Sequence, residues 1–216
     1  MFKQDIDLVK LLHKKYTFNS PLLDAGGLKN PCISDYQISI SKALHFVVND
    51  SAKGIANLEV TVPHPEQTDR YVNIGYPWRF IDKEYTILNP EYGDPPIEDL
   101  PKLYPQGFNT VVMVSVFEHV VNPYHVSQAI FDLLKPGGFL FNSTPFLFPY
   151  HPSPEDNFRY SPQALKHIHT STGFNWIEGD FHINFSSKVG IGDTNRSNYG
   201  APTAIMASYA LCQRPL

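Results

Sequence analysis

With 216 residues, 42% of them hydrophobic and 18% charged, the chain has the composition of a folded domain and not of a disordered segment. Its length supports one well-buried core and is short for two. The formal charge of −4 is spread without blocks of one sign, so no basic face is offered to a nucleic-acid backbone.

Residues 1–16 read as an amphipathic helix, with Ile6, Val9 and Leu12 on one side and Lys10, Lys14 and Lys15 on the other. No basic segment precedes an apolar core, so this is not a leader. No later apolar run reaches the roughly 20 residues of a membrane span. The expectation is a cytoplasmic protein without a membrane partner. Cys32 and Cys212 lie far apart, without metal-type spacing, and read as reduced thiols.

Residues 21–25 (PLLDA) form a short buried strand followed by Gly26 and Gly27. The stretch 31–75 is ambiguous: 34–44 fits a helix, and both 45–48 and 71–74 are strand candidates. A further strand is expected at 85–88 (YTIL). The β-branched run 108–116 (FNTVVMVSV) reads as a strand buried on both faces. Asn122-Pro123 then has the form of an N-cap with proline at the first helical position. Val126, Ala129, Ile130, Leu133 and Leu134 follow at helical spacing. Lys135-Pro136-Gly137-Gly138 stops that helix, and 139–143 (FLFNS) is the next strand, which makes a parallel βαβ unit.

Ser161-Pro162 opens another helix that ends near Gly173, and strands at 176–181 and 204–211 form an antiparallel final pair. The 19 prolines cluster at 90–105 and 145–162, which implies long ordered loops. With 15 phenylalanines and 12 tyrosines, such loops line a ligand cavity or are pinned to the surface by their own aromatics.

In this order, LLDAGG (22–27), FNTVVMVSVFEHV (108–120), LLKPGGFLFNSTP (133–145) and YHPSPEDNFRYSP (150–162) resemble the small-molecule "type 11" branch of the class I S-adenosylmethionine-dependent methyltransferases. The resemblance implies an α/β fold of one domain over 1–216. Its centre is a Rossmann-like, seven-stranded, mostly parallel sheet with helices on both faces and an antiparallel last strand. It also implies S-adenosylmethionine as cofactor and a small-molecule acceptor. Residues 31–70 would be an enlarged first crossover or a cap, and 145–162 the active-site loop.

By the same resemblance the cofactor meets Asp24, Ala25, Gly26 and Gly27 after the first strand, Asn89 and Pro90 in the loop near the adenine, and Ser115. The family's Asp-x-Gly-x-Gly is altered here, because Leu28 stands at the second glycine position. The acid that ends strand two and binds the ribose is replaced by Gly75 if 71–74 is that strand, or is Asp50 if 45–49 is. The spacing to Tyr85 favours the former.

Methyl transfer from a sulfonium needs positioning and exclusion of water more than acid–base help. No phosphate loop, triad or metal set is called for, and the sequence offers none. Glu118 and His119 follow a buried strand on the side where ligands bind. His119 is the candidate proton acceptor, or the pair shapes the loop and the helix after it. In 145–162, Tyr150, His151, Arg159 and Tyr160 would face the substrate as a partial lid, or Asp156 and Arg159 pair within a rigid loop. His167 and His169, two apart on a helix, read as a solvated pair.

The leading expectation is methyl transfer to an oxygen or nitrogen of a small molecule. The alternatives are a degenerate, non-catalytic binding module and, with no phosphate fingerprint to support it, a nicotinamide oxidoreductase.

Overall fold

Strands that are hydrophobic on both faces require a sheet covered from two sides. The computed structural model describes residues 3–26, 33–34, 71–72, 77–90, 93–148, 150–152, 155–186 and 203–216. In chain order its strands are β1 (Leu22–Ala25), β2 (Ile33–Ser34), β3 (Tyr71–Val72), β4 (Thr86–Leu88), β5 (Phe108–Val114), β6 (Leu134–Pro145), β7 (Asn175–Glu178), β8 (Phe181–Ser186) and β9 (Thr203–Gln213). The main sheet has seven strands in the order β4-β1-β5-β6-β9-β7, and β8 also pairs with β9. Pairings among β4, β1, β5 and β6 are parallel, whereas β9 runs against β6, β7 and β8. Every strand of the sheet but the last therefore points one way, which is the Rossmann-like arrangement that the resemblance implies.

Two strand assignments change. The strand beside β1 is β4, with Leu23 opposite Thr86 and Ala25 opposite Leu88. Tyr71–Val72 instead pairs antiparallel with Ile33–Ser34, apart from the main sheet, so it is not strand two. The position that follows the neighbour of β1 is thus Asn89 and not Gly75. The rival candidate at 45–49, Asp50, Gly27 and Gly75 lie outside the described residues, as does most of the expected crossover or cap.

The strand expected at 176–181 is two strands, β7 and β8, lying end to end along β9. Gly179 marks the break, since a Cβ there would lie 2.4 Å from the Trp176 ring. Lys135-Pro136-Gly137-Gly138 is a bulge within β6 and not a separating turn. Phe108 pairs with Leu134 but Thr110 with Phe139, and the four residues between loop out of the ladder.

Side-chain alternation along the strands sorts the core into two layers. Leu22, Val112, Phe141 and Leu211 face α1 (Lys3–Tyr16), meeting Ile6, Val9, Leu12 and Trp78. Leu23, Ala25, Val111, Met113 and Leu140 face the opposite layer. That layer is built from a 3-10 turn (Ile97–Asp99), α2 (Leu100–Leu103), α3 (Pro123–Leu133) and α4 (Pro162–Ser171). Helices α3 and α4 begin as their sequences require. The Asn122 side chain accepts from the His125 amide at 3.2 Å and Ser161 from the Ala164 amide at 3.2 Å, each with proline next in line. Among the described residues no helix is long and apolar enough to cross a membrane.

His167 and His169 are not a solvated pair, because His167 is exposed whereas His169 is fully buried. The latter is satisfied on both ring nitrogens, by the Ser127 hydroxyl at 2.9 Å and the Asn142 amide at 3.2 Å, and it stacks on Phe117. Burial depresses its pKa to about 3. The unfolded chain gains that proton near pH 6.5 and the folded chain does not, so stability is lost as pH falls below about 6.5, by up to about 1.4 kcal/mol per unit. Urea midpoints at pH 5 and pH 7 should show this slope in the wild type and a flatter one in His169→Gln; equal slopes would sink the assignment.

Candidate active site

In an open parallel sheet ligands bind beyond the carboxyl ends of the strands, where the chain leaves neighbouring strands in opposite directions. Here that point lies between β1 and β5, since β4 flanks β1 on the other side. Gly26 leaves β1 there with φ +86. Its amide donates to the Leu88 carbonyl at 2.7 Å, and its own carbonyl accepts from the Asn89 side-chain amide at 3.1 Å. Asn89 is buried, and its backbone amide donates to Asp94 at 2.8 Å. Across the gap Ser115 leaves β5 with φ +55, its amide bonded to the Ser143 carbonyl at 2.8 Å. These backbone bonds tie the end of β1 to that of β4, and the end of β5 to that of β6.

Asp24 points to the α1 face, where its carboxylate accepts from the Trp78 indole N–H at 2.8 Å. Burial drives its pKa up to about 7, against the opposing pull of that hydrogen bond. Ala25 is buried on the other face and Pro90 is exposed.

Past the end of β5 the chain turns through Phe117, which anchors in the core, and delivers Glu118 inward with no exposed surface. Its Oε2 accepts from the Thr144 hydroxyl at 3.1 Å, and its carbonyl accepts the amides of Asn157 (2.8 Å) and Phe158 (3.2 Å). That carbonyl thereby fastens the 145–162 loop onto the end of β5. Glu118 Oε1 has no hydrogen-bond partner among the described residues. It lies 3.5 Å from His119 Nε2 and 3.8 Å from His151 Nε2. The two imidazoles meet edge to face with centroids 5.1 Å apart.

Asp156 organises the loop. It holds Arg159 through both carboxylate oxygens and accepts the His151 amide at 2.8 Å, with His151 Nδ1 3.2 Å away. The guanidinium pulls the Asp156 carboxyl well below the usual range. Arg159 also donates to the Phe148 and Phe158 carbonyls, at 3.4 Å and 2.8 Å. The structure thus shows the rigid-loop pairing of Asp156 with Arg159. Tyr160 is buried, with its hydroxyl unpaired among the described residues and its pKa pushed up by burial. Tyr150 is three-quarters exposed, at 75%. Glu118, His119 and His151 are therefore brought together, whereas Tyr150 is turned to solvent and Arg159 to the loop. Trp78 and Thr144, which carry no local signal, were not among the expected site residues.

A methyltransferase domain family matches residues 32–178 of the chain, well over half its length. The chain belongs to this methyltransferase family. This is the class I S-adenosylmethionine-dependent methyltransferase family, whose cofactor is S-adenosylmethionine. At the end of β1 a glycine at positive φ beside the buried Asn89 presents bare backbone, as the close approach of such a group requires.

Among characterised relatives, the chain is similar to the ubiquinone biosynthesis O-methyltransferase of Paracidovorax citrulli, 41% identical over 54 residues, or 25% of this chain and 23% of that protein. It is likewise similar to the enzyme of the same name from Xanthomonas euvesicatoria, 46% identical over 48 residues, or 22% and 20%. The match thus spans a quarter or less of either relative's length. Similar solved structures include an Archaeoglobus fulgidus S-adenosylmethionine-dependent methyltransferase, with 11% identity, TM-score 0.49 and coverage of 97% and 94% of the two chains. The 4+2 cyclase SpnF is another, with 14% identity, TM-score 0.48 and coverage of 98% and 81%.

Proposed function

We propose that this methyltransferase transfers the methyl group of S-adenosylmethionine to an oxygen or nitrogen of a small-molecule acceptor. In this reading Asp24, Ala25, Gly26 and Gly27 take the methionine part, Asn89 stands where the ribose hydroxyls are received, and Ser115 lines the floor. The acceptor lies under the 145–162 loop against Glu118, His119 and His151. The acceptor's lone pair forms the new bond to the methyl carbon as the carbon–sulfur bond breaks, and the electron pair stays on sulfur as S-adenosylhomocysteine. The proton of the acceptor leaves through the His119 side of the site. Alignment of the two centres in a dry pocket supplies most of the rate.

The observation that carries the reading is the buried, half-satisfied Glu118 carboxylate set between two imidazoles beyond the carboxyl end of β5. The names of the two relatives, both O-methyltransferases of ubiquinone biosynthesis, make a hydroxyl oxygen the first acceptor class to screen. The 145–162 loop supplies aromatic rings for such a ligand, among them Phe148, 5.0 Å from the His151 ring.

A second reading, a binding module without catalysis, draws support from Asn89, an amide where the family places a carboxylate. Calorimetric titration with S-adenosylmethionine and S-adenosylhomocysteine separates the two. The expected result is micromolar binding, about −8 kcal/mol; absence of binding to either would leave only the module.

A further inference from the structure

We infer that Glu118, His119 and His151 form a binding site for a divalent metal ion of the zinc class, open toward the acceptor. Their candidate ligand atoms all lie within 4.8 Å of one another. The tautomers follow from what faces each ring. His119 Nδ1 is placed against the Glu155 carbonyl, which can only accept, so Nδ1 carries the proton. His151 Nδ1 faces Asp156, whose bidentate pairing with Arg159 keeps it an acceptor, so this Nδ1 is protonated too. With Nδ1 so engaged in both rings, Nε2 is the atom that each offers to a ligand. Both are turned toward Glu118 Oε1, an oxygen with no exposure and no hydrogen-bond partner among the described residues.

Three potential ligand atoms converge on one point, one of them a buried carboxylate oxygen, and a cation there would supply the counter-charge. Unpaired buried carboxylate oxygen is costly and calls for such a partner. Two imidazole nitrogens and one carboxylate oxygen select a borderline transition ion over magnesium or calcium, which take oxygen ligands. Ligands with bonds of about 2.1 Å stand about 3.4 Å apart around a tetrahedral ion. The separations of 3.5 and 3.8 Å are close to that, and the ring pair closes by small rotations. The outer contacts are those of metal-binding histidines, a carbonyl behind one and a carboxylate behind the other. With side chains 19% and 31% exposed, the imidazoles leave the ion a route in from solvent.

Three protein ligands leave a fourth position. This further step rests on the proposed methyl transfer: an acceptor hydroxyl bound there loses its proton to water more readily, in place of proton transfer to His119. The oxygen then attacks the methyl carbon.

Metal binding itself needs neither cofactor nor acceptor, so it is tested alone. Chelator-treated protein is titrated with Co2+ and followed by its visible absorption, with bound metal counted by equilibrium dialysis. One equivalent is expected, with the intense bands of four-coordinate Co2+, displaced by Zn2+. His119→Gln and His151→Gln, both at partly exposed loop positions, should each weaken binding by about 100-fold or more, and Asp156→Asn by about 10-fold. Absence of stoichiometric Co2+ in the wild type would overturn the site. So would undiminished binding in both histidine variants. Failure to bind S-adenosylhomocysteine would strike the methyltransferase reading and leave the metal site standing.

Discussion

Alanine at position 26 is expected to destabilise the protein by about 2–4 kcal/mol and to abolish cofactor binding. Two effects add. Gly26 has φ +86, where an L side chain is strained by about 1–2 kcal/mol. A Cβ there would also stand 2.3 Å from Val116 Cγ2, well inside contact distance, with the other atoms of that side chain at 3.3 and 3.4 Å. Val116 is β-branched and stiff about χ1, so it cannot swing away as a long side chain would. The backbone must move instead, breaking the bonds that Gly26 makes to Leu88 and Asn89.

The two effects separate in a double-mutant cycle. Val116→Ala in the Gly26→Ala background removes the collision and leaves the φ strain. Part of the stability should return, measured by urea denaturation, while S-adenosylhomocysteine affinity stays low because the loop is still displaced. If Gly26→Ala alone keeps wild-type stability and affinity, the narrow β1–β5 opening is not where the cofactor sits.

What could be read in the sequence follows from how local each signal is. The unit from β5 through α3 to β6 was legible because strand composition, an Asn-Pro cap and a glycine turn all fall within a few residues of one another. Even there the Lys-Pro-Gly-Gly segment became a bulge, since β6 begins pairing with Phe108 before it and not after it. Sheet order was not local: β4 has three residues, and nothing in YTIL says which strand it will lie beside. The sequence therefore puts Asn89 in the adenine loop rather than at the end of the neighbour of β1. His169 misled for the same reason, as its partners Ser127 and Asn142 sit on α3 and β6.

The site divides along the same line. Glu118 and His119 were found because they are adjacent to a recognisable strand end. Their junction with His151 depends on Asp156 holding the loop and on Glu118 accepting its amides, contacts between segments that periodicity does not link. Trp78 is 54 positions from Asp24, and only the folded sheet makes them a pair. Family membership accounts for the strand ends that position these groups but does not name the acceptor they meet. Fold alone does not name a substrate.

Replacing Asp24 with asparagine should make the folded protein more stable near neutral pH and a poorer cofactor binder. Burial raises the folded-state pKa of Asp24 to about 7, while the unfolded chain ionises it near 3.9. Between those values the folded state holds a proton that the unfolded state has released, so stability falls as pH rises from about 4 to about 7 and stays low above. In Asp24→Asn the new side chain still accepts from Trp78 but never ionises, so that slope disappears. Denaturation at pH 8 should show the variant more stable by about 1–3 kcal/mol, and the difference should vanish near pH 4. Cofactor binding runs the other way. S-adenosylmethionine brings a sulfonium and an ammonium, which favour the ionised carboxylate. Wild-type affinity should therefore rise from pH 6 to pH 8 relative to the variant, the ligand's own titration cancelling in the comparison. At pH 8 the variant should bind about 10- to 100-fold more weakly. Equal affinities at every pH would confine Asp24 to its bond with Trp78 and take it out of the cofactor site.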